Sequence, residues 1–294
     1  MAKYGKKLLL PFAVLLSFFP LLDPLEIFTD LKITSFDTFQ TIFPRPKLEE
    51  DPVIVVDIDD ESLQKIGQWP WSRDALASLT DQTQLAAATA FDIVFAEPDR
   101  TGSSQLQQIY SNDEALVEIL SRTIDHDDLF AQSIANHGTV VLGLAPNNKT
   151  ESQNYLGKHG MVIQGDDPKL FVQPYTGMQN NLDKLEAESA GLGSMSIGND
   201  DVIVRTLPSF ENINGSLVPS LPLEIVRVSI GASTYQVKSS NASSEEAFGE
   251  NTGINHVKLG SLIMPTNADG SFWLYPTKSN NLSVLPAWQV IEGV

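Results

Sequence analysis

The stretch Val53–Leu76, VIVVDIDDESLQKIGQWPWSRDAL, decides how the chain is read. It opens on the run VIVVDI (Val53–Ile58), the composition of a strand covered on both faces. Four acids follow within five residues (Asp57, Asp59, Asp60 and Glu61), and then come Trp69-Pro70-Trp71 and Arg73. Asp60 is placed to cap a short helix that Gly67 ends. Ser72 is placed to cap a longer one with Leu76, Leu79 and Ala86 on its inner side. ATAFDIVFAEP (Ala88–Pro98) reads as a second buried strand. Strand, helix and strand within about forty residues make a βαβ unit, so the two strands are expected to be parallel and adjacent.

Working outward, DEALVEILSRTI and DDLFAQSIANHG read as one helical region broken near Asp125, and Gly138 precedes the strand TVVLGLA. The polar connections Asp99–Asp113 and Pro146–Gly160 read as long surface loops. The second half changes character. GLGSMSIGNDDVIVRTLPSF reads as two strands joined by a hairpin turn at Asn199-Asp200-Asp201. SLPLEIVRVSIG is an amphipathic helix, and SSNASSEEAFGENTG a solvated loop. VKLGSLIMPTNADGSFWLYP reads as a hairpin turning at Ala268-Asp269-Gly270, and LPAWQVIEG starts a last helix. The expected fold class is α/β, with a parallel sheet from βαβ units, flanking helices and antiparallel hairpins in the second half.

Net charge is −18 over 294 residues, and cysteine is absent. Residues 1–47 carry Lys3, Lys6, Lys7, Lys32, Arg45 and Lys47 against Asp23, Glu26, Asp30 and Asp37, a balance of +2, so the remainder carries −20. A field of that sign repels nucleic acid and attracts cations or basic partners, so no nucleic-acid partner is expected. Without cysteine there is no disulfide framework and no thiolate chemistry. Near the start, LLLPFAVLLSFFPLL runs from Leu8 to Leu22 without a charge. Its helical length is roughly 22 Å, short of the ~30 Å hydrocarbon core. A retained anchor, a cleaved signal and a buried core helix all compete, but no small-x-small cleavage site follows, which favours the anchor. The preceding lysines place the N-terminus in the cytoplasm and the acidic remainder outside. The expected organisation is a cytoplasmic tip and transmembrane helix over residues 1–24, and a juxtamembrane helix and linker over 25–52, stopped at Pro44 and Pro46. A sensory domain follows over 53–294.

Several pieces occur in one order: VVDIDDESLQKIGQWPWSR, AFDIVFAEPD, GLGSMSIGNDDVIVRTLP with PSLPLEIVR, DGSFWLYP and LPAWQVIEG. Together they resemble the type-two CHASE domain, the extracellular sensory module of bacterial transmembrane receptors, over nearly the whole chain. WPW-R and FDIVFAEPD are the most specific pieces. The resemblance implies a domain facing the periplasm from the inner membrane and no catalysis of its own. It also implies coupling through membrane helices to a cytoplasmic nucleotide cyclase, histidine kinase, diguanylate cyclase or Ser/Thr kinase. In the family a further strand and membrane helices follow the VIEG position, so the chain reads as cut short at Val294, a fragment or a receptor lacking its output. The partners expected are the membrane, a small-molecule or cationic ligand, and a second copy in the full receptor. No cofactor or metal is expected.

The chemistry gathers in the opening stretch. Asp57 and Asp59 are two apart and share a face if the strand persists that far. They stand at the carboxyl end of a strand, where open α/β sheets place ligand crevices. Asp92 interrupts the apolar run TAFDIVFA, and a carboxylate on a buried strand needs a partner. Arg73 is the nearest, and Glu97 closes the second strand. Two readings stand. One is a cation or polar-ligand site from Asp57, Asp59, Trp69, Trp71, Arg73, Asp92 and Glu97. The other is a structural Arg73–carboxylate lock with the tryptophans as core. A rival of another class is a haloacid-dehalogenase-like phosphatase with Asp57 as nucleophile and Asp59 as general acid. That motif wants Thr or Val where this chain has Glu61, and Ser or Thr where it has Ala96-Glu97. The four histidines (His126, His137, His159 and His256) share no ligand spacing and read as surface or loop residues.

Overall fold

The structure, a computed structural model, describes residues 27–46, 52–149, 154–198, 203–242, 252–276 and 282–294. The expected anchor Leu8–Leu22 and the turn Asn199–Asp201 lie outside these residues. Among the described residues no helix is long and apolar enough to cross a membrane. The chain forms two compact units, one of Met1–Val55 with Tyr275–Ser283, the other of Val56–Leu274 with Val284–Val294.

In the first unit, helix α1 (Ile27–Ile42) occupies the expected juxtamembrane segment and stops just before Pro44. Phe39 and Phe43 stack at 6.3 Å, and the Tyr275 hydroxyl donates to the Phe43 carbonyl at 2.6 Å.

The second unit runs from the end of β1 (Ile54–Asp57) through α2 (Asp60–Ile66), α3 (Arg73–Gln82) and β2 (Thr89–Phe91). Three helices follow, α4 (Ser103–Ile109), α5 (Glu114–Ser121) and α6 (His126–His137), before β3 (Val140–Asn147). Then come β4 (Gly160–Gln164), β5 (Pro174–Tyr175), β6 (Gly177–Gln179), α7 (Asp183–Glu188) and β7 (Gly191–Ser194). The last part holds β8 (Thr206–Pro208), β9 (Phe210–Ile213), β10 (Ser216–Pro219), α8 (Leu221–Ser229), β11 (Thr234–Ser239), β12 (Ile254–Leu259), β13 (Leu262–Pro265), β14 (Ser271–Trp273), β15 (Ser283–Pro286) and α9 (Ala287–Glu292).

Parallel strands are present, but not the pair expected first. β3 is the centre: β2 pairs with it in parallel from Thr89↔Val140, and β7 from Val141↔Gly191. β6 joins the far end of β3 antiparallel. Period-two alternation sends Val140, Leu142 and Leu144 to the side of α3 and α6, and Val141 to the side of α8. All four are fully buried, and each such aliphatic side chain contributes about 1.5–3 kcal/mol. β1 stands apart and pairs with β15. Its residues Ile54 and Val55 are exposed, because a two-stranded pair has no layer to cover both faces. The expectation of a doubly covered β1 beside β2 is therefore corrected.

A second sheet runs β13-β12-β11-β4, antiparallel except for β11 beside β4. The expected hairpin in this region exists but turns after Leu259, between β12 and β13, not at Ala268–Gly270. Past that later turn the chain leaves the sheet as β14, which pairs with β8. Nor do the two halves of GLGSMSIGNDDVIVRTLPSF pair with each other: β7 joins β3 and β8 joins β14. The loop expected over Asp99–Asp113 contains α4.

Helix α8 lies between the two cores. Leu221, Ile225 and Val228 pack with Val141 of the parallel sheet, while Leu223 and Val226 pack with Tyr235, Val237 and Leu259 of the second sheet. Between these faces sit Glu224, fully buried, and Arg227. The pair is bidentate, Nε to Oε2 at 2.9 Å and Nη2 to Oε1 at 2.7 Å. The Tyr235 hydroxyl donates to Oε2 at 2.6 Å. Arg227 also donates to the carbonyl of Ala190, entering β7, and to that of Ala232, entering β11. Gly191 is required here, since a Cβ on it would lie 2.3 Å from Glu224 Oε1. Arg227→Met strands a buried carboxylate and two carbonyls, and is expected to destabilise the domain by about 3–5 kcal/mol. Urea unfolding checks it. Adding Glu224→Leu is expected to restore only part of the loss, because the Ala190 and Ala232 carbonyls remain without their donor.

Candidate functional site

The local sequence sets the opening stretch in an order different from the one its acids suggest. Asp59, not Asp60, is the N-cap of α2, and its carboxylate accepts the Ser62 amide at 2.8 Å. The Ser62 side chain and amide hold Asp59 below the usual carboxylate range. Asp60 and Glu61 occupy the first turn of α2, where a helix favours negative charge, and Glu61 pairs with Lys65 at 3.1 Å. Strand β1 ends at Asp57, which is exposed, so Asp57 and Asp59 form no shared strand face.

Beyond α2, Gly67 turns the chain into Trp69-Pro70-Trp71, with a cis bond at Pro70. Trp71 faces inward, 4% exposed, its indole N–H donating to the Gly67 carbonyl at 2.7 Å. Trp69 stands edge-on against it with ring centroids 6.0 Å apart and stays 40% exposed. Asp92 is exposed too, because β2 stops at Phe91 and the chain bends there. The premise of a buried Asp92 paired with Arg73 is corrected.

Arg73 is buried, but its partners lie elsewhere. Its Nε faces Asp127 Oδ1 at 3.4 Å, its Nη2 donates to the Glu97 carbonyl at 3.1 Å, and its guanidinium lies over the Phe95 ring. Its amide donates to Asp99 Oδ2 at 2.6 Å, so Asp99 caps α3 from a distant loop. The Asp99 amide in turn donates to Asp127 at 3.0 Å. Asp125 caps α6 through the Asp127 amide and α4 through the Ser104 amide. His126, the first residue of α6, reaches Asp99 at 3.2 Å and so belongs to this knot rather than to free surface. Burial lowers Arg73 and raises Asp127 from their ordinary values, so desolvation outweighs the attraction across the pair. For Asp99, burial acts upward first. The Arg73 and Thr101 amides, the Thr101 hydroxyl and His126 outweigh it, and Asp99 lies below its usual range.

Trp69 and Asp92 meet instead at an open crevice of about 500 Å³. Ile58 after β1, Leu63 on α2, Ile93 and Val94 after β2, and Met195 after β7 supply the apolar walls. The crevice thus lies past the carboxyl ends of strands, the usual place for a ligand in an α/β sheet, and its size suits a small molecule. Met195 reaches it across Gly143 of β3, where a Cβ would stand 2.3 Å from the Met195 sulfur. Of the seven candidate residues, Trp69 and Asp92 line the crevice and Trp71 and Arg73 are internal. Asp59 is a cap, and Asp57 and Glu97 face solvent. The aliphatic walls carry no polar motif, and only their position after strand ends could have marked them. Among the described residues no group of three or more His, Asp or Glu side chains is placed to hold a metal ion.

Fold and crevice together define an α/β domain with a small-molecule-sized apolar opening at its strand ends. The chain belongs to the CHASE2 domain family, whose match covers residues 10–294, essentially the whole chain. CHASE2 domains are extracellular sensory domains of receptors. No curated protein and no solved structure matches the chain.

Two outcomes are expected at the Arg73 knot. Arg73→Met strands Asp127 and is expected to cost about 3 kcal/mol by chemical denaturation. Arg73→Met with Asp127→Asn is expected to recover much of it, since the carboxamide oxygen put in place of the carboxylate still accepts the Asp99 amide. Asp99 has a lowered pKa, so its contribution is present above the unfolded value of about 3.9 and is lost as pH falls through the folded value. Asp99→Asn is therefore expected to be destabilising near neutral pH, with melts of variant and wild type converging on acidification.

Proposed function

We propose that the chain is the signal-input domain of a bacterial transmembrane receptor. In this reading it faces the periplasm from the inner membrane and acts on a cytoplasmic nucleotide cyclase, histidine kinase, diguanylate cyclase or Ser/Thr kinase. Membership of the CHASE2 family carries the reading, and the crevice supports it. Its walls come from the segments after β1, β2 and β7 and from the Trp69 loop. A ligand touching several of these segments favours whichever arrangement brings them together, and it shifts the equilibrium only by its differential affinity for the two arrangements. The N-terminal apolar run anchors the domain, and membrane helices carry the shift inward.

The phosphatase alternative loses its geometry. It needs Asp57 at the end of a strand beside the strand of the next motif, whereas β1 pairs with β15 and Asp59 is engaged as a helix cap.

A phosphatase reporter fused after Pro276 is expected to be active only outside the cytoplasm, with the protein in the inner-membrane fraction. A soluble, N-terminally trimmed product overturns the anchored reading. The full chain, assayed with a generic phosphate ester and magnesium, is expected to show no turnover that Asp57→Asn removes.

A further inference from the structure

We propose that the crevice takes an organic monocation with a short apolar body, a primary or quaternary ammonium held by the Asp92 carboxylate and the Trp69 indole. The proposal rests on the reading of the crevice as the ligand-holding surface and adds the chemical class of the ligand. Every wall but two is aliphatic or a thioether, and the two exceptions are that carboxylate and that indole. Among the described residues no lysine, arginine or histidine lines the crevice, so an anion entering it meets only negative charge.

Asp92 makes no hydrogen bond or ion pair among the described residues, unlike the carboxylates of Asp59, Asp99 and Asp125. A neutral apolar ligand would strip water from that carboxylate and give nothing back, an unfavourable exchange. Calcium and magnesium want six or more oxygen ligands and zinc about four N, S or O ligands, and the walls offer a single carboxylate. An ammonium satisfies both exceptional walls at once, because the face of an indole attracts a cation as a carboxylate does. Trp69 is available for this, 40% exposed while its neighbour Trp71 is 4% exposed. One carboxylate balances one positive charge, and the aliphatic walls take the rest of the molecule. The net charge of −18 draws cations toward the domain from a distance.

The test uses the full chain, residues 1–294, titrated with choline and with (3-hydroxypropyl)trimethylammonium. Each is paired with its uncharged isostere, in which carbon replaces the ammonium nitrogen. Calorimetry measures binding, and circular-dichroism melts confirm that each variant folds. Saturable binding of the cations is expected, with affinity about tenfold lower for the isosteres and for Asp92→Asn, and a similar loss for Trp69→Leu. Glu97→Gln removes an exposed carboxylate outside the crevice and is expected to change nothing; an equal loss there would reveal a diffuse field effect and overturn the proposal. Isosteres that bind as tightly as the cations overturn the ligand class while leaving the crevice as a binding surface. Folded protein that binds none of the four probes at millimolar concentration overturns the crevice reading and the proposal with it. Binding unchanged in Asp92→Asn overturns the assignment of the carboxylate.

Discussion

The Glu224–Arg227 pair is the constraint on which the second unit depends. It sits on a helix that must be apolar on two sides, toward Val141 on one and toward Tyr235 and Val237 on the other. A charge pair inside such a helix would ordinarily be a liability, because both ions lose their water. Here every strong group finds a partner, and two of those partners are main-chain carbonyls, one entering each sheet. Arg227 therefore fixes where β7 and β11 begin relative to α8. Apolar contacts alone, being non-directional, would not set that register. The closeness has a sequence consequence at Gly191, the one residue type that leaves room for the Glu224 carboxylate.

With α8 held on one face of the parallel sheet and α3 with α6 on the other, the layers are closed above and below β3. The open places left are the strand ends. Past the carboxyl ends the chain supplies short apolar segments, Ile93-Val94 and Met195, which line the crevice together with Leu63 of α2. The crevice is thus a by-product of how the layers close, and the Trp69 loop bounds it. Gly143 belongs to the same arrangement, since it lets Met195 cross β3 instead of being displaced by a side chain.

Much of this was legible in the sequence wherever the signal is local. Helix α1, the break at Asp125, the strand after Gly138, helix α8 and the last helix follow from periodicity, caps and glycine, and all lie where those signals place them. Long-range pairing was not legible. VIVVDI has the composition of a central strand, but its partner β15 lies more than two hundred residues away, and Ile54 and Val55 stay exposed while Val56 packs on the core. TAFDIVFA read as one buried strand because its apolar residues are continuous, and that reading forced Asp92 to need a partner. The strand stops at Phe91, so the need disappears. Arg73 was correctly expected to meet a carboxylate, yet the carboxylates that reach it come from the loop at Asp99 and the first turn of α6. Glu224 and Arg227 were visible as an acid and a base three apart on an apolar helix, a pattern that nothing but burial makes meaningful.

Several acids of the opening half are explained by what each one holds. Asp59, Asp113 and Asp125 each close the start of a helix on their own chain segment, and Asp99 does so for α3 from a distance. Asp127 faces Arg73 and accepts the Asp99 amide. The charge that follows β1 is explained in the same way, as the cap and first turn of α2 rather than as a catalytic cluster. Asp92 is different. It follows a strand and begins no helix, no cation of the described residues reaches it, and its neighbours in the crevice are aliphatic. Folding therefore gains nothing evident from a charge at that position, while an apolar residue there would cover the crevice wall more favourably. A carboxylate without a structural partner, lining the same crevice as a half-exposed indole, is the arrangement that a ligand supplying the missing positive charge would complete.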